Sequence, residues 1–177
     1  MGLQKGCNCF SLSVVYPVRG DTVHDFEEIY NRYAKAVYRT AHQYLMNTAA
    51  AEDVTQEVFV KLLLKTPHFR DEAHCKAWLL RVAINLSKNY LKAKRNQSLR
   101  FDEAYMDAAT RHETDERLDL ERELLRLSPA QRAAVYLHYY EGYSVKEIAH
   151  MMKMPEGTVK SHLSRAREQL RINLGRE

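Results

Sequence analysis

Cationic and hydroxyl side chains repeat at helical spacing near the end of the 177-residue chain. Lys160, Ser164 and Arg167 follow one another at steps of four and three residues, which places them on one stripe of a helix. Lys and Arg neutralise phosphates, and Arg, Ser and Thr also reach base edges in the major groove. A charge stripe alone is usually a solvated face, but here capping signals and a tight turn precede it. We therefore interpret it as a surface for duplex nucleic acid, with candidate residues Thr158, Lys160, Ser161, Ser164, Arg165 and Arg167.

A second polar stripe lies in the first half of the chain. Helical spacing places four side chains on one face, namely Arg81, Asn85, Lys88 and Lys92. Regularly spaced cations bind a nucleic-acid backbone, and an amide among them can hydrogen-bond a base. Exposed aromatic side chains stack on unpaired bases, and Phe69 is the candidate for this role. Trp78 and Tyr90 are also near, but their spacing is more typical of core residues.

An acidic and amide-bearing face is the third candidate. Asp53, Gln56 and Glu57 lie on neighbouring turns of one predicted helix, where they could contact a basic partner helix. Catalytic carboxylates are the alternative interpretation. Helical Asp and Glu pairs are usually solvated, however, and no nucleophile or metal cage accompanies them in the sequence.

The remaining polar clusters predict neither a metal nor a cofactor. Cys7 and Cys9 form one cluster, and His68 with His74 and Cys75 forms the other, but neither has a second half at zinc-finger spacing. A Gly-rich phosphate loop and a nucleophile motif are absent from the sequence. We therefore expect a protein that is not an enzyme and has no small-molecule substrate.

The cysteine content and the hydropathy indicate where the protein acts. An odd, sparse set of three cysteines argues against a disulfide scaffold and favours a reducing cytoplasm. No run approaches the ~18 apolar residues of a membrane span, so we expect no direct membrane insertion.

The elements that must position these residues are predicted to be helices. Apolar residues recur at three- and four-residue steps, and the chain has only 6 Gly and 4 Pro. Predicted helices span roughly 23–46, 49–65, 75–94, 114–127, 129–140, 144–152 and 155–174.

Capping signals are densest in the last third of the chain. Ser128 with Gln131, and Ser144 with Glu147, have the form of capping boxes, and Gly142 is a natural helix stop. Two short helices around a turn at residues 153–154 predict a helix-turn-helix.

Charge divides the chain into blocks. Residues 23–95 carry 12 Lys/Arg and 8 Asp/Glu, a balance of +4, whereas residues 96–127 carry 5 and 9, a balance of −4. Residues 128–177 carry 8 and 5, a balance of +3. Two surfaces for a polyanion are thus separated by an acidic stretch. The predicted fold is all-α, with two small helical domains joined by a flexible linker. Its segments are a disordered leader 1–22, a domain 23–95, a linker 96–115 and a helix-turn-helix domain 116–177.

These motifs, in this order, resemble the sigma factors of the sigma-70 family, in the extracytoplasmic-function group. The run Ala51-Glu52-Asp53-Val54-Thr55-Gln56-Glu57-Val58-Phe59 is similar to part of the family's region 2. Phe69-Arg70, Ala77-Trp78-Leu79, Arg81-Val82-Ala83-Ile84-Asn85 and Lys88-Asn89-Tyr90-Leu91 resemble its promoter-melting segment. Leu127-Ser128-Pro129, Glu147-Ile148-Ala149 and the run from Pro155 to Arg167 resemble region 4.

The resemblance implies a function and partners. Asp53, Gln56 and Glu57 are implied to dock on the clamp of the largest subunit of core RNA polymerase. Phe69, Arg81, Asn85, Lys88 and Lys92 are implied to hold the opened minus-ten element of promoter DNA. The candidates on the last helix are implied to read the minus-thirty-five duplex. An anti-sigma factor is a further implied partner, and we expect any sensing to depend on it.

The sequence departs from the family pattern at one place, and three other functions are also considered. His74 and Cys75 stand where the melting loop usually has small or aromatic residues, which leaves the captured base undefined.

The rival functions are a stand-alone regulator using only the helix-turn-helix, a small nucleic-acid hydrolase, and a decoy that binds polymerase but not DNA. A stand-alone regulator would give the Asp53 and Arg81 faces no role. A hydrolase would need a metal-binding cluster, which the sequence lacks. A decoy would give the basic C-terminal stripe no role.

Overall fold

The computed structural model describes residues 26–65, 67–98 and 123–174, and every regular element in these ranges is helical. The helices are α1 (Phe26–Leu45), α2 (Thr48–Lys65), α3 (Glu72–Ser98), α4 (Pro129–Val135), α5 (Val145–Met152) and α6 (Glu156–Leu174). A π-helical segment, Tyr136–Tyr140, directly continues α4, and residues 123–126 are also helical. The leader 1–22 and most of the linker 96–115 lie outside the described residues. No helix in the described ranges has the length and apolar character to span a membrane.

Helices α1 to α3 form an N-terminal module around apolar stripes that the sequence predicts. The buried residues include Ile29, Val37, Ala41, Val54, Val58, Leu62, Leu79 and Ala83. Tyr90, whose spacing is more typical of a core residue, is instead 40% exposed, and Tyr30 of α1 is 44% exposed. In α3 the buried face is extended by Leu80 and Ile84, both fully buried. The apolar face that α3 buries in the core is therefore wider than the predicted stripe.

Helix α3 begins at Glu72, three residues before its predicted start, because Asp71 caps it. The carboxylate of Asp71 accepts a hydrogen bond of 2.6 Å from the backbone N–H of His74. Cys75 consequently lies within the helix and is only 2% exposed. Burial raises the pKa of its thiol to about 11. Cys75 is thus a core residue, and of the predicted His74–Cys75 loop only His74 has access to solvent.

Both predicted capping boxes are formed in the C-terminal module, which comprises residues 123–174. The Ser128 hydroxyl accepts from the backbone N–H of Gln131 at 3.3 Å, and the Gln131 side chain accepts from the Ser128 N–H at 2.8 Å. Ser144 and Glu147 repeat this arrangement at 3.3 Å and 2.9 Å. Each box satisfies two of the backbone N–H groups that a helix start leaves unpaired. These caps fix the starts of α4 and α5.

Two turns set the angles of the helix-turn-helix. The segment after α4 ends in π geometry, with the N–H of Glu141 donating to the carbonyl of Tyr136 at 3.1 Å. Gly142 follows with a φ of +79°, and Lys153 between α5 and α6 has a φ of 50°. Both residues are in the left-handed region, which reverses the chain direction. The predicted stop at Gly142 and turn at residues 153–154 are therefore observed.

Gly142→Ala is expected to lower the free energy of unfolding by about 1–2 kcal/mol, because only the backbone conformation opposes the new Cβ. No atom lies within 4 Å of that Cβ position, so no steric clash contributes. Gly157→Ala is the matched control, since its Cβ also meets open space within the first turn of α6. It should be neutral or stabilise by up to about 1 kcal/mol through helix propensity. Urea unfolding of both variants measures the contrast, and equal effects would contradict the role of the positive φ.

The two modules pack directly against each other. Helix α1 lies against α4 and α3 lies against α5, and the buried residues of both modules form one continuous hydrophobic cluster. The sequence analysis treats the modules as loosely tethered, because the sequence does not indicate which surfaces meet. In the structure, the polar faces of α3 and α5 are brought together.

Candidate nucleic-acid and polymerase interfaces

The acidic candidate face lies on the outer side of α2. Asp53, Gln56 and Glu57 are all exposed, and Glu57 forms a 2.9 Å ion pair with Lys61 one turn on. The same stripe continues through two apolar side chains, Val60 at 48% and Leu64 at 79% exposure. The sequence analysis missed this pair, although their steps of three and four from Glu57 could have shown it. An acidic start and an apolar end give α2 a mixed face suited to a protein partner.

The second candidate face runs along α3. Arg81, Asn85 and Lys88 are half-buried, whereas Lys92 is exposed. The guanidinium of Arg81 lies 3.3 Å from Nε2 of His150 in α5. The ammonium of Lys88 donates to the backbone carbonyl of Met152, the last residue of α5. The structure thus keeps the predicted stripe together, but covers its middle with the other module.

Phe69 lies in the turn before α3 and is packed rather than free. Its ring makes edge-on contacts with His74 and Trp78, with centroids 5.7 and 5.8 Å apart. Trp78 is half-buried, as the sequence analysis expects for a core residue. Tyr90 is more exposed, but it lies nine residues after Arg81 and so faces the opposite side of α3. Trp78 and His74 line one cleft with Arg81, and Phe69 is connected to this face through its ring contacts with them.

The third candidate face lies on α6 and is open. Lys160, Ser164, Arg165 and Arg167 are exposed, and Thr158 is half-buried in the first turn. The hydroxyl of Ser161 donates to the carbonyl of Gly157 at 2.9 Å, so its oxygen is left to accept from a ligand. The buried side of α6 carries Val159, Leu163 and Ala166. The basic stripe is therefore presented outwards on a packed helix.

Burial changes the pKa values of two side chains, Lys88 and His162. Burial lowers the pKa of Lys88, and the nearby charge of Lys153 lowers it further. Burial, with Arg165 close by, also lowers the pKa of His162 on the inner side of α6. His162 is thus favoured as a neutral ring at neutral pH, and the positive charge of α6 comes from its Lys and Arg side chains.

Arg132 is a buried structural residue that the sequence analysis did not identify. It is only 6% exposed, and its guanidinium donates to backbone carbonyls in both modules. Nε donates to Gln43 at 2.8 Å, and the terminal nitrogens reach Tyr44, Leu124 and Leu127. A cation at the end of α1 meets the negative end of that helix dipole. Its position in a helical stretch gave no sign of burial, because the neighbouring module supplies the cover.

In the part of the chain that the structure describes, no group of three His, Cys, Asp or Glu side chains could hold a metal ion. The three faces offer instead one acidic and apolar surface and two cationic ones. Such an arrangement can bind a protein through α2 and a polyanion through α3 and α6.

Comparisons with known proteins identify the family of this chain. Residues 29–97 match the family model of sigma-70 region 2, and residues 117–170 match that of sigma-70 region 4. The chain is 30% identical over 159 residues to the ECF RNA polymerase sigma factor SigM of Mycobacterium tuberculosis, covering 89% of this chain and 81% of the relative. The chain belongs to the extracytoplasmic-function sigma factors. The sigma-H factor of Pseudomonas aeruginosa is 32% identical, with 86% of each chain covered.

Solved structures of similar fold support the architecture of this sigma factor. The sigma factor RpoE from Bartonella quintana, solved in complex with the anti-sigma factor NepR, matches with a TM-score of 0.75. It is 24% identical, and 86% of this chain and 98% of that chain are covered. CnrH in complex with the cytosolic domain of CnrY matches with a TM-score of 0.57 and 24% identity, with 85% and 87% covered. At these identities the likeness establishes the fold alone.

Family membership defines the activity. This sigma factor binds RNA polymerase, recognises promoters and directs the initiation of transcription. Sigma factors are non-catalytic subunits of the polymerase holoenzyme. Of the rival functions, the hydrolase, the stand-alone regulator and the decoy are therefore wrong.

Proposed function

We propose that each of the three faces performs a separate binding role in transcription initiation. The α2 face docks on the clamp of the largest polymerase subunit, through Asp53, Gln56 and Glu57 with Val60 and Leu64. The α3 face, with Phe69, holds the opened minus-ten strand. The α6 face reads the minus-thirty-five duplex. In this proposal the two DNA-binding domains correspond to residues 23–95 and 116–177, with residues 96–115 as the linker.

The observation that carries the proposal is that each face belongs to a different helix and has its own chemistry. The cations of α6 are exposed beside Ser and Thr hydroxyls, a combination suited to base edges and phosphates of a duplex. The α3 face combines cations and an amide with the ring of Phe69 at one end, which suits an unpaired strand. The apolar and acidic α2 face suits a protein rather than a polyanion.

Asp53→Ala with Glu57→Ala is expected to weaken binding to core polymerase about tenfold, because two exposed charges are removed from the docking face. Fluorescence anisotropy of the labelled protein titrated with core polymerase measures the change. Binding of a minus-thirty-five duplex to the same variant should stay as in the wild type.

The matched control for this variant is Glu156→Ala with Glu168→Ala. It removes two exposed carboxylates from the other module, so the change in net charge is the same. We expect near wild-type affinity for core polymerase. Equal losses in both double variants would mean that net charge, rather than the α2 face, determines docking.

Run-off transcription on fragmented genomic DNA tests the proposal as a whole. Core polymerase is used with and without the protein, and new start sites should appear only with it. The aligned start sites then yield the minus-ten and minus-thirty-five elements. Lys88→Ala and Arg165→Ala should each impair promoters according to the element that they need. If both variants use all promoters as the wild type does, the assignment of the two faces is wrong.

An anti-sigma protein is the further partner that we propose. The support is that the similar RpoE structure was solved in complex with an anti-sigma factor. We also propose that the protein acts in the cytoplasm, where RNA polymerase is found, without inserting into a membrane.

A further inference from the structure

The face of α2 that we assign to polymerase docking ends in exposed apolar side chains. Val60 and Leu64 are 48% and 79% exposed. Next to them, the exposed ring of Tyr30 packs on Phe59, the residue before Val60, with ring centroids 4.8 Å apart. We call Tyr30, Val60 and Leu64 the α2 patch. Contact with water is unfavourable for apolar side chains of this size, so the α2 patch favours a partner that covers it.

Acidic side chains continue the same face of α2. Glu52 and Asp53 are exposed, and so is Glu57, which pairs with Lys61. A partner that covers the α2 patch therefore meets carboxylates beside it. Such a partner is expected to combine apolar side chains with cations near them.

The leader, residues 1–22, has this chemistry. Its apolar side chains at positions 10, 12, 14, 16 and 18 alternate with other residues between Phe10 and Val18. An alternation with a period of two places them on one side of an extended segment. Lys5 and Arg19 flank this run, and residues 1–20 contain no Asp or Glu. The run is therefore apolar on one side and has a cation near each end.

The chain enters α1 beside the α2 patch. Helix α1 begins at Phe26, whose ring centroid lies 6.0 Å from that of Phe59. The eight residues from Val18 to Phe26 can span up to about 26 Å, at about 3.3 Å each. The step from Val60 to Leu64 along α2 is only about 6 Å. The run can therefore reach the α2 patch without any change in the described helices.

We infer that residues 10–18 of the leader bind the α2 patch in the free protein and compete there with RNA polymerase. The competition rests on the proposed function, because it takes the α2 face to be the docking face. A segment on a short tether acts at an effective concentration of about 1 mM. With a dissociation constant of about 0.1 mM, it covers the α2 patch for about 90% of the time and weakens the apparent Kd for core polymerase about tenfold.

Disulfide trapping in the full chain tests the contact with a thiol that the leader already has. Cys7→Ser leaves Cys9 directly before the run, and Leu64→Cys places a second thiol in the α2 patch. Cys75 is only 2% exposed and does not compete for oxidation. Diamide should produce an intramolecular disulfide, seen as a shift in non-reducing electrophoresis. The matched control is Leu125→Cys, which replaces a leucine that is 45% exposed in the other module, and it should be trapped much less.

A serine leader removes the apolar side of the run without changing its length or charge. It should lower trapping at position 64 to the level of the control at position 125. By anisotropy it should tighten the apparent Kd for core polymerase about tenfold, because the competitor is lost. Ser11→Ala with Ser13→Ala changes the other side of the same run and should behave as the wild type. The serine leader carries Phe10→Ser, Leu12→Ser, Val14→Ser, Tyr16→Ser and Val18→Ser.

The outcomes separate the inference from the proposed function. Trapping at position 64 that the serine leader leaves unchanged overturns the contact, since it would then reflect only the length of the tether. Specific trapping with an unchanged Kd overturns the competition, and the variant Asp53→Ala with Glu57→Ala identifies the cause. If this variant weakens binding to core polymerase, the docking face is correct and only the leader's competition is wrong. If it also leaves Kd unchanged, the docking role of the α2 face is itself wrong.

Discussion

Arg132→Met is expected to lower the free energy of unfolding by about 2–4 kcal/mol, because the buried carbonyls that share one guanidinium lose their donor. For a chain of this size that corresponds to a fall in melting temperature of about 4–16 °C. Methionine keeps most of the side-chain volume, so the loss reports the hydrogen bonds rather than a cavity. Thermal unfolding followed by circular dichroism is the measurement.

Arg126→Met is the matched control for this prediction. Arg126 lies in the same module, but its side chain is 61% exposed and its ion pair with Glu123 joins residues three positions apart in one helical segment. Its replacement should change stability by no more than about 0.5 kcal/mol. A similar loss for both variants would mean that the buried carbonyl contacts of Arg132 contribute little.

Arg165→Ala is expected to reduce transcription from a promoter that depends on its minus-thirty-five element by about tenfold or more, as for the loss of one specific base contact. Arg165 is exposed on α6 and makes no contact that the packing of the helix needs, so the fold should be unaffected. Run-off transcription with purified core polymerase measures the effect. The affinity for core polymerase, measured in parallel, should not change.

Arg126→Ala serves as the control for Arg165→Ala, since it removes the same charge from the same module away from α6. It should leave transcription near the wild-type level. Full activity of Arg165→Ala on such a promoter would remove this residue from the minus-thirty-five interface. A reduction that also appears on promoters without that element would indicate a general loss of DNA affinity instead.

Local signals allowed most of the secondary structure to be predicted. Both capping boxes, the turn at residues 153–154 and the stop at Gly142 depend on residues a few positions apart, which the sequence displays directly. The start of α3 was misplaced because the cap at Asp71 was not recognised. The π-helical segment could not be predicted, because it does not follow a 3.6-residue periodicity.

The arrangement of the modules depends on contacts that no local pattern reveals. Arg132, Lys76 and Glu141 each read as ordinary charged helix residues, and only the structure shows that partners distant in sequence bury or pair them. The candidate faces themselves were predictable, since helical spacing groups Arg81 with Lys88 and Lys160 with Arg167. Whether a face is open or covered could not be predicted, and only the structure shows that Arg81 and Lys88 contact residues of α5.

The π-helical segment Tyr136–Tyr140 has an evolutionary consequence. A π turn holds one residue more than an α turn, so the loss of one residue here by deletion would leave a continuous α-helix. The following residues would then rotate by about 100° around the helix axis. Glu141 would turn away from Lys76, while the apolar packing of α5 and α6 within their own module could persist. A deletion of one residue in this segment would therefore be compatible with the fold of each module and yet remove an ion pair between the modules, so the length of the segment is a variable on which selection can act.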